Sequence, residues 1–276
     1  MPVQCLFDVK EMSKSRFHEI DYQVMRHVFD VQNELGRLYH ESIYQAEVSA
    51  RCSSEGIVVV SEGEIVVSLD SFRKSYYVDA LMNGGALYEL KAVDNLDGNH
   101  ESQLLNYMFL SGLKEGKLVN FASPSIQHRF VSTTVGFAAR FAFSVEESEW
   151  DQNLKSSQRL SRIVKIILAE WGAYLDVNLY RDALVHFLGG EEKVCSPVEI
   201  IIGDRTAGQH TLPLLGEAFC LHVSSVVQHQ NQYRKHLMRF LEHTNLNGIQ
   251  WVNFNRNKIQ LTTLKNSPVI NRPVKK

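Results

Sequence analysis

The 276-residue sequence has few of the features that mark secreted or membrane-spanning proteins. Its cysteines lie far apart and include no close pair: Cys5, Cys52, Cys195 and Cys220. This spacing indicates reduced thiols and argues against a disulfide framework, a zinc site or an iron–sulfur cluster. No apolar run approaches the roughly 18 residues of a transmembrane helix, and the N-terminus has no signal-peptide pattern. We therefore expect a cytoplasmic globular protein.

The charge is small in total but unevenly distributed. The formal net charge is −2, which by itself argues neither for nor against a nucleic-acid partner. Residues 1–133 contain 12 Lys and Arg against 18 Asp and Glu, a balance of −6, whereas residues 134–276 contain 17 against 13, a balance of +4. An acidic half suits metal cations and a basic half suits a phosphate backbone. Ordinary drift in composition explains the same difference.

The most informative segment is a predicted β-hairpin over residues 76–93. Asn-Gly-Gly at 83–85 separates two apolar-rich runs, and glycine favours such a turn because it adopts positive φ without steric cost. With the turn centred on the middle residue, Asp79 lies across from Glu89, and Lys91 projects from the same face. Two carboxylates and an ammonium group then meet, which suits a divalent cation beside an anion. A solvated charged face is the competing interpretation.

Hydrophobic periodicity predicts an α/β fold in both halves. In the first half, helical periodicity runs from Val24 to Val31 and breaks near Gly36. Further helices are predicted at about 39–52 and 99–112, and strands at about 57–61, 64–69, 75–82, 86–93, 117–121 and 128–132. The second half repeats this order: helices across 158–188 and 231–243, and strands near 198–202, 217–224, 249–254 and 258–263. The polar segment 146–157 is predicted to be a linker, and residues 266–276 a disordered tail.

The residues around the hairpin point to a known family. Glu41 lies in the helical segment before it, and His100–Tyr107, with Gln103, opens the helix after it. This order resembles the PD-(D/E)XK nuclease superfamily and, within it, the bacterial proteins called GxxExxY. The resemblance covers about residues 20–133 and is most specific at YELKAVD and HESQLLNY. The glycine that names the group falls at Leu38 here, although Glu41 and Tyr44 are retained.

The resemblance implies a restriction-endonuclease-like mixed sheet flanked by helices and a metal-dependent nuclease. Asp79 and Glu89 supply the hard oxygen ligands that Mg²⁺ (or Mn²⁺) prefers. The resemblance also implies that the backbone carbonyl of Leu90 adds a ligand to the metal. Glu41 is expected to touch a metal-bound water or a second metal. Lys91 orients the attacking water or stabilises negative charge. By the same resemblance Gln103 contacts a phosphate or the lysine.

Two function classes remain open. The first is a Mg²⁺-dependent nuclease, for which DNA and RNA are both candidate substrates. The second is a catalytically inactive nucleic-acid- or protein-binding module on the same fold. The complete set of Asp, Glu, Lys and Gln favours the nuclease, because drift is expected to break at least one member of an unused site.

An internal comparison predicts a tandem duplication. Residues 103–121 align without a gap on 236–254, with Val-Asn-Phe shared at the end, although coincidental helix–strand similarity explains a match of this length too. In this alignment the second copy has lost its chemistry: Cys220, His222 and His236 replace Glu89, Lys91 and Gln103, while Val177 and His210 fall against Glu41 and Asp79.

The predicted organisation follows from this alignment. A nuclease-like domain over 1–145 and a linker over 146–157 precede a degenerate copy over 158–265, which would stand in for a dimer partner. The basic surplus of the second copy is expected to hold a nucleic-acid backbone through Arg234, Lys235, Arg239, Arg256 and Lys258.

Overall fold

The chain divides into two compact units. The structure, a computed structural model, describes residues 2–216 and 218–266. Its units are Met1–Arg140 and Phe141–Lys276. Each contains a mixed β-sheet flanked by helices, so the predicted α/β class is confirmed. Within the described ranges no helix is long and apolar enough to cross a membrane.

The first unit is built around a six-stranded sheet with the order β1-β2-β3-β4-β5-β6. All neighbouring strands are antiparallel except β4 and β5, which run parallel and are joined by helix α3. In chain order the elements are β1 (Val3–Cys5), α1 (Lys14–Leu35), α2 (Glu41–Ser54), β2 (Val59–Leu69), β3 (Phe72–Met82), β4 (Ala86–Lys91), α3 (Gly98–Ser111), β5 (Glu115–Asn120), β6 (Gln127–Ser132) and α4 (Phe137–Arg140).

Helices α1 and α2 cover one face of this sheet. Helix α1 starts after Ser13, whose side chain caps the first turn, and ends at Gly36, whose φ of 74° breaks the helical path. Its apolar residues recur every three or four positions, so they form one buried stripe. This stripe and the buried side of α2 pack on the even-numbered face of the hairpin, which includes Ala80, Met82 and Tyr88.

The hairpin forms where the sequence predicts it. Asn83 and Gly84 both have positive φ, 49° and 74°, and the Gly85 N–H donates to the Met82 carbonyl. Positive φ at two successive turn residues matches the right-handed twist of the flanking strands. Met82 pairs with Ala86, and this register fixes every later pair of the ladder. The predicted arrangement of β3 and β4 is therefore confirmed.

The second unit has a four-stranded sheet with the order β10-β11-β12-β7 and a separate two-stranded hairpin of β8 and β9. Strands β10 and β11 are parallel, β11 and β12 antiparallel, and β12 and β7 parallel. In chain order the elements are β7 (Ser144–Glu149), α5 (Lys155–Trp171), α6 (Val177–Leu188), α7 (Glu191–Val194), β8 (Cys195–Ile202), β9 (Arg205–Pro213), β10 (Phe219–Ser224), α8 (Gln230–Glu242), β11 (Gly248–Asn255) and β12 (Lys258–Lys265).

Two details of the predicted organisation differ from the structure. The segment 146–157 is not a plain linker: it contains the end of β7 and the start of α5, and the division lies after Arg140. Polar strand residues there pair with β12, an interaction that composition does not reveal. The strands expected at 57–61 and 64–69 form one strand, β2. Of the tail predicted to be disordered, 267–276 lies outside the described residues.

Candidate active site

Strand β4 carries two charged side chains into a buried environment. All six of its residues are buried; Glu89 has no exposed surface and Lys91 is 8% exposed. The odd-numbered face of the hairpin is covered because helix α3 follows β4 and returns beside β5, contributing Leu104 and Met108 to the core. The alternative of a solvated charged face is therefore wrong for this strand.

The hairpin register brings Asp79 to the same place. Leu81 pairs with Leu87 and Ala80 with Tyr88, and one further step along the ladder sets Asp79 opposite Glu89. One carboxylate oxygen of Asp79, Oδ2, accepts a hydrogen bond of 2.8 Å from the Leu90 N–H. This bond ties the side chain of one strand to the backbone of the next.

Lys91 is the common neighbour of three carboxylates. Its Nζ lies 2.6 Å from Glu89 Oε1, 3.5 Å from Glu41 Oε1 and 3.7 Å from Asp79 Oδ2. Glu41 is the first residue of α2, and its side chain is 38% exposed, so the cluster opens to solvent on this side. The structure thus brings together four of the five side chains that the sequence predicts for catalysis.

The carboxylate of Glu89 is fully buried and poorly satisfied. Its Oε1 forms an ion pair with Lys91 Nζ at 2.6 Å, whereas Oε2 has no hydrogen-bond partner among the described residues. Burying an ionised carboxylate costs several kcal/mol unless it is paired and hydrogen-bonded. Oε2 therefore retains capacity for a cationic partner in addition to Lys91.

The charges of the cluster are strongly coupled. Burial and the negative charge of Asp79 raise the pKa of Glu89 to about 8, against the lowering effect of Lys91. Burial also raises the pKa of Asp79 to about 6, which Lys91 and the Leu90 N–H oppose. Burial by itself lowers the pKa of Lys91, but Glu89, Asp79 and Glu41 outweigh it, so that pKa lies above its ordinary value. Lys91 is charged, and three carboxyl groups surround this single positive charge, which favours the binding of a further cation.

The donor set fits a hard divalent cation in chemistry but is not a complete cage. Asp79 and Glu89 offer carboxylate oxygens, the ligands that Mg²⁺ and Mn²⁺ prefer. Within the part of the chain that the structure describes, no group of three or more His, Cys, Asp or Glu side chains is arranged to hold a metal ion. The ammonium group of Lys91 lies 2.6 Å from Glu89 Oε1 and 3.7 Å from Asp79 Oδ2, so a cation at this pair would share the two carboxylates with the lysine.

Gln103 and Tyr107 lie on one face of α3, as their spacing predicts. The Gln103 amide donates a 2.9 Å hydrogen bond to the Tyr107 hydroxyl, and Tyr107 is buried. Burial raises the pKa of Tyr107 to about 12, and the negative charges of Glu89 and Asp79 add to this rise. The pair therefore lies near the cluster, with the Gln103 amide hydrogen-bonded to Tyr107.

Two further polar residues border the site and were not predicted from the sequence. Gln45 follows Glu41 by one helical turn, and its amide nitrogen donates to the Asp79 carbonyl (2.6 Å) and to Glu62 Oε1 (3.0 Å). Glu62 lies in β2 between residues that pair on either side of Asp79, and it has a φ of 54°. The sequence predicts a gap between two strands at 62–63, which coincides with this left-handed residue, although strand β2 runs through it without a break.

The departure from the GxxExxY pattern lies outside the cluster. Leu38 is 92% exposed in the connection between α1 and α2. Glycine at Gly36 provides the positive φ that this connection requires. Tyr44 donates from its hydroxyl to the Gly36 carbonyl and stacks on Phe121, so it fixes the start of α2 that carries Glu41.

The residues predicted to bind a nucleic-acid backbone belong to the second unit, and two of them are engaged in ion pairs. Arg234 pairs with Glu149 at 2.5 Å, and Lys258 with Glu146 at 2.8 Å. The remaining three side chains are exposed: Lys235 and Arg239 on α8, and Arg256 in the turn between β11 and β12.

The residues aligned with the first site behave differently in the second unit. Burial raises the pKa of Cys220 to about 12. Burial and the charge of Arg181 lower the pKa of His222 to about 4, and its ring Nε2 lies 2.8 Å from the Tyr233 hydroxyl. These side chains offer no pair of carboxylates.

Comparison with known proteins assigns the first unit to a class. Residues 18–131 match the family model described as the PD-(D/E)XK nuclease superfamily. The resemblance seen in the sequence is therefore confirmed at the level of the superfamily over these residues. The match does not distinguish the GxxExxY group, which stays a prediction. No curated protein and no solved structure matches the chain.

Proposed function

We propose that the first unit is a nuclease that hydrolyses phosphodiester bonds of DNA with the help of Mg²⁺ or Mn²⁺. The observation that carries this proposal is the cluster of Lys91 with Asp79, Glu89 and Glu41, in which Oε2 of the fully buried Glu89 has no hydrogen-bond partner among the described residues. An ammonium group beside an unsatisfied carboxylate oxygen suits a site that takes a divalent cation together with a phosphate.

Each side chain then has a defined task. Asp79 and Glu89, with the Leu90 carbonyl as a candidate third ligand, would hold the cation, which when bound would supply positive charge against the phosphate and acidify a water. Glu41, the most exposed of the three carboxylates around Lys91, reaches solvent and positions a water. The ammonium of Lys91 donates hydrogen bonds to the phosphate oxygen on which negative charge develops. Gln103, whose amide nitrogen donates to the Tyr107 hydroxyl, contacts a phosphate or Lys91.

Cation binding is the first test. Calorimetry with Mn²⁺ should show binding by the parent and essentially none by Asp79→Asn or Glu89→Gln, because one carboxylate alone cannot satisfy a divalent ion. Asp30→Asn removes an exposed carboxylate from α1 of the same unit and serves as the matched control. Equal Mn²⁺ binding by the parent and the three variants would contradict the proposed cation site.

Cleavage is the second test. Lys91→Met should reduce kcat on DNA by about 100-fold or more while the Kd for DNA stays within about twofold, since a charge that acts on the transition state contributes to kcat and not to binding. Parallel assays on RNA distinguish the substrates. A parent that binds DNA and Mn²⁺ but cleaves neither nucleic acid would instead support the binding module.

We also infer that the second unit is a degenerate copy of the first. The helix pair α1–α2, the strands β2–β4, the helix α3 and the strands β5–β6 have counterparts of the same order and direction in α5–α6, β8–β10, α8 and β11–β12. Common element order is weak support by itself, because α/β units reuse few topologies. Three repeated side-chain arrangements strengthen it.

The first repeated arrangement joins the helix pair to the sheet. In the first unit the Tyr44 hydroxyl donates to the Gly36 carbonyl (2.9 Å) and the ring stacks on Phe121. In the second unit the Tyr180 hydroxyl donates to the Gly172 carbonyl (2.6 Å) and the ring stacks on Phe254. Both glycines end a helix with φ of 74°.

The second arrangement is an asparagine that holds the loop after the central parallel strand. Asn120 accepts from the Val93 N–H and donates to the Val93 carbonyl, and its amide also reaches Gln127. Asn253 repeats all three contacts, with Val226 and Gln260 as partners. Repetition of the same donors and acceptors supports a common origin of the two units more strongly than element order does.

The third arrangement is a buried polar pair between the first helix and the sheet. Lys117 donates to Asp21 at 2.6 Å in the first unit. The corresponding strand position in the second unit holds Gln250, whose amide donates to Ser157 at 2.7 Å. The second unit thus keeps a hydrogen bond at this position although Gln250 and Ser157 are uncharged. This is expected if both residues of the pair changed together after a duplication.

These contacts also change the alignment of the two sites. Leu87 pairs with Gly116 and Cys220 pairs with Ile249. With Asn120 set on Asn253, this register matches Glu89 with His222 and Lys91 with Ser224, whereas the sequence alignment matches them with Cys220 and His222. The bridge between Leu214 and Cys220 likewise sets Leu212, rather than His210, against Asp79. On this assignment the second copy has neither carboxylate nor lysine at these positions.

The basic residues of the second unit are proposed to contact the nucleic-acid backbone. Lys235, Arg239 and Arg256 are exposed, whereas Arg234 and Lys258 must share their charge with Glu149 and Glu146. We further propose a cytoplasmic location, supported by the four cysteines, which are all free thiols.

A further inference from the structure

We infer that Gln45 is a positioning residue of the candidate site, which fixes the helix carrying Glu41 against the strand carrying Asp79. This inference rests on the proposed function and extends it to a residue that does not touch the cation or the substrate. The question is how the carboxylates of Glu41 on α2 and Asp79 on β3 are held at a constant separation.

The contacts of Gln45 span three elements. Gln45 is 7% exposed, and its Nε2 donates to the Asp79 carbonyl at 2.6 Å and to the Glu62 carboxylate at 3.0 Å. Because Gln45 lies four residues after Glu41 on α2, both side chains project from the same helix face, Gln45 to Asp79 of β3 and Glu41 to Lys91 of β4. A single amide group therefore joins the elements that bear Glu41 and Asp79.

The backbone at Asp79 needs such a restraint. Regular pairing between β2 and β3 is found on both sides of Asp79, for Ser61 with Ala80 and for Gly63 with Val78. Between them Glu62 has a φ of 54°, a conformation that costs a non-glycine residue of the order of 1 kcal/mol. The left-handed turn of the backbone directs Glu62 to Gln45, so the strained residue serves as the second acceptor of the same amide.

Loss of this restraint should move Asp79 relative to its neighbours. Asp79 Oδ2 accepts the Leu90 N–H at 2.8 Å and lies 3.7 Å from Lys91 Nζ. A carboxylate that binds a cation jointly with Glu89 must keep this position, and outer partners of ligands commonly change cation affinity by about 10- to 100-fold. In the second unit the residue four positions after Val177 is Arg181, and the pair of carboxylates is replaced there.

The structure offers a matched control for the experiment. Gln32 on α1 also donates its amide to two acceptors across the helix–sheet interface, the Phe121 carbonyl at 2.7 Å and the Ser123 carbonyl at 3.1 Å. Replacement by methionine keeps the length of either side chain and removes its hydrogen bonds. Gln45→Met and Gln32→Met should thus lower the melting temperature to a similar extent.

The two variants should differ at the site. For Gln45→Met we expect the Kd for Mn²⁺, measured by calorimetry on the full chain, to rise about 10- to 100-fold, and kcat on DNA to fall with little change in KM. For Gln32→Met both should stay within about twofold of the parent. Glu62→Ala, at an exposed position, should shift the Kd for Mn²⁺ in the same direction by a smaller factor.

Hydrogen exchange measured without cation distinguishes the positioning role of Gln45 from the proposed nuclease function. Exchange of the Leu90 amide hydrogen, which depends on its bond to Asp79, should become faster in Gln45→Met than in Gln32→Met. Equal exchange together with equal Mn²⁺ affinity in the two variants would overturn the positioning role. A parent that binds no Mn²⁺ would overturn the proposed function instead, and the Leu90 exchange would still decide the role of Gln45.

Discussion

At the scale of single residues, Glu89 shows how burial and charge work against each other. Its side chain has no exposed surface, and burial with the nearby Asp79 raises its pKa to about 8. The folded protein thus binds a proton at Glu89 at a pH where the unfolded chain, with an ordinary pKa of 4.5, has released it. The contribution of Glu89 to stability without cation is therefore fully present at low pH and is lost as the pH rises from about 4.5 to about 8.

This pH dependence gives a prediction for Glu89→Gln. The variant should be more stable than the parent at pH 8 without divalent cations. The difference should shrink toward pH 5, where Glu89 of the parent is protonated and therefore uncharged, like the glutamine. Melting temperatures across this pH range measure the effect, and Asp30→Asn should follow the parent. Added Mn²⁺ should stabilise the parent at pH 8 and not the variant. A difference between the variant and the parent that does not grow from pH 5 to pH 8 without cation contradicts the assignment.

At the scale of elements, the turn of the β3–β4 hairpin determines which charges meet. Gly84 has a φ of 74°, and an added Cβ would lie 3.4 Å from the Asp8 carbonyl oxygen. Gly84→Ala should therefore lower the free energy of unfolding by about 1–2 kcal/mol. Gly98→Ala is the control, because it is a helical glycine with open space around it. Urea denaturation measures both, and equal effects would show that the turn conformation contributes nothing.

The buried pair between α1 and β5 gives a second prediction at this scale. Lys117 and Asp21 are both buried, and the Tyr88 hydroxyl also donates to Asp21. Lys117→Ala should lower the free energy of unfolding by about 3–5 kcal/mol, because Asp21 then lacks its buried counter-charge. The double variant Asp21→Ser with Lys117→Gln copies the second unit and should be clearly more stable than the single one.

Denaturation of these two variants also tests the duplication. If the Ser–Gln pair of the second unit is the diverged form of the same contact, the first unit should accept it. A double variant as unstable as Lys117→Ala would show that the two positions are not equivalent.

At the scale of the whole molecule, the uneven charge predicts how salt affects nucleic-acid binding. The second half carries the surplus of Lys and Arg, including the exposed Lys235 and Arg239 on α8. Changing both to Glu should weaken DNA binding and reduce the slope of log K against log salt by about one unit for each phosphate that the variant no longer neutralises. Lys193→Glu with Arg205→Glu makes the same charge change elsewhere in this unit. Equal slopes in the two double variants would argue against a backbone-binding role for α8.

Much of the candidate site followed from the sequence because its determinants are local. The turn at Asn83 and Gly84 fixes the register, and alternation along the strands then sets Asp79, Glu89 and Lys91 on one face. Helix periodicity likewise predicted the helix that starts at Glu41. These features depend on residues within a few positions of one another, where backbone conformation and side-chain direction are coupled directly.

Other features were decided only by the tertiary structure. The burial of Glu89 depends on α3 returning across the sheet, and the contacts of Gln45 with Asp79 and Glu62 join segments far apart in the chain. Strand β7 has the composition of a linker. It forms a strand because it pairs with β12, which lies more than a hundred residues away in the chain.

The sequence by itself determined which charged groups lie side by side, whereas long-range packing decided which of them lose water. Desolvation is what raises the pKa values of Asp79 and Glu89 above their ordinary range. It also leaves Glu89 Oε2, among the residues that the structure describes, without a hydrogen-bond partner. Loss of water at a side chain depends on every element packed around it, so no local pattern of residues specifies it.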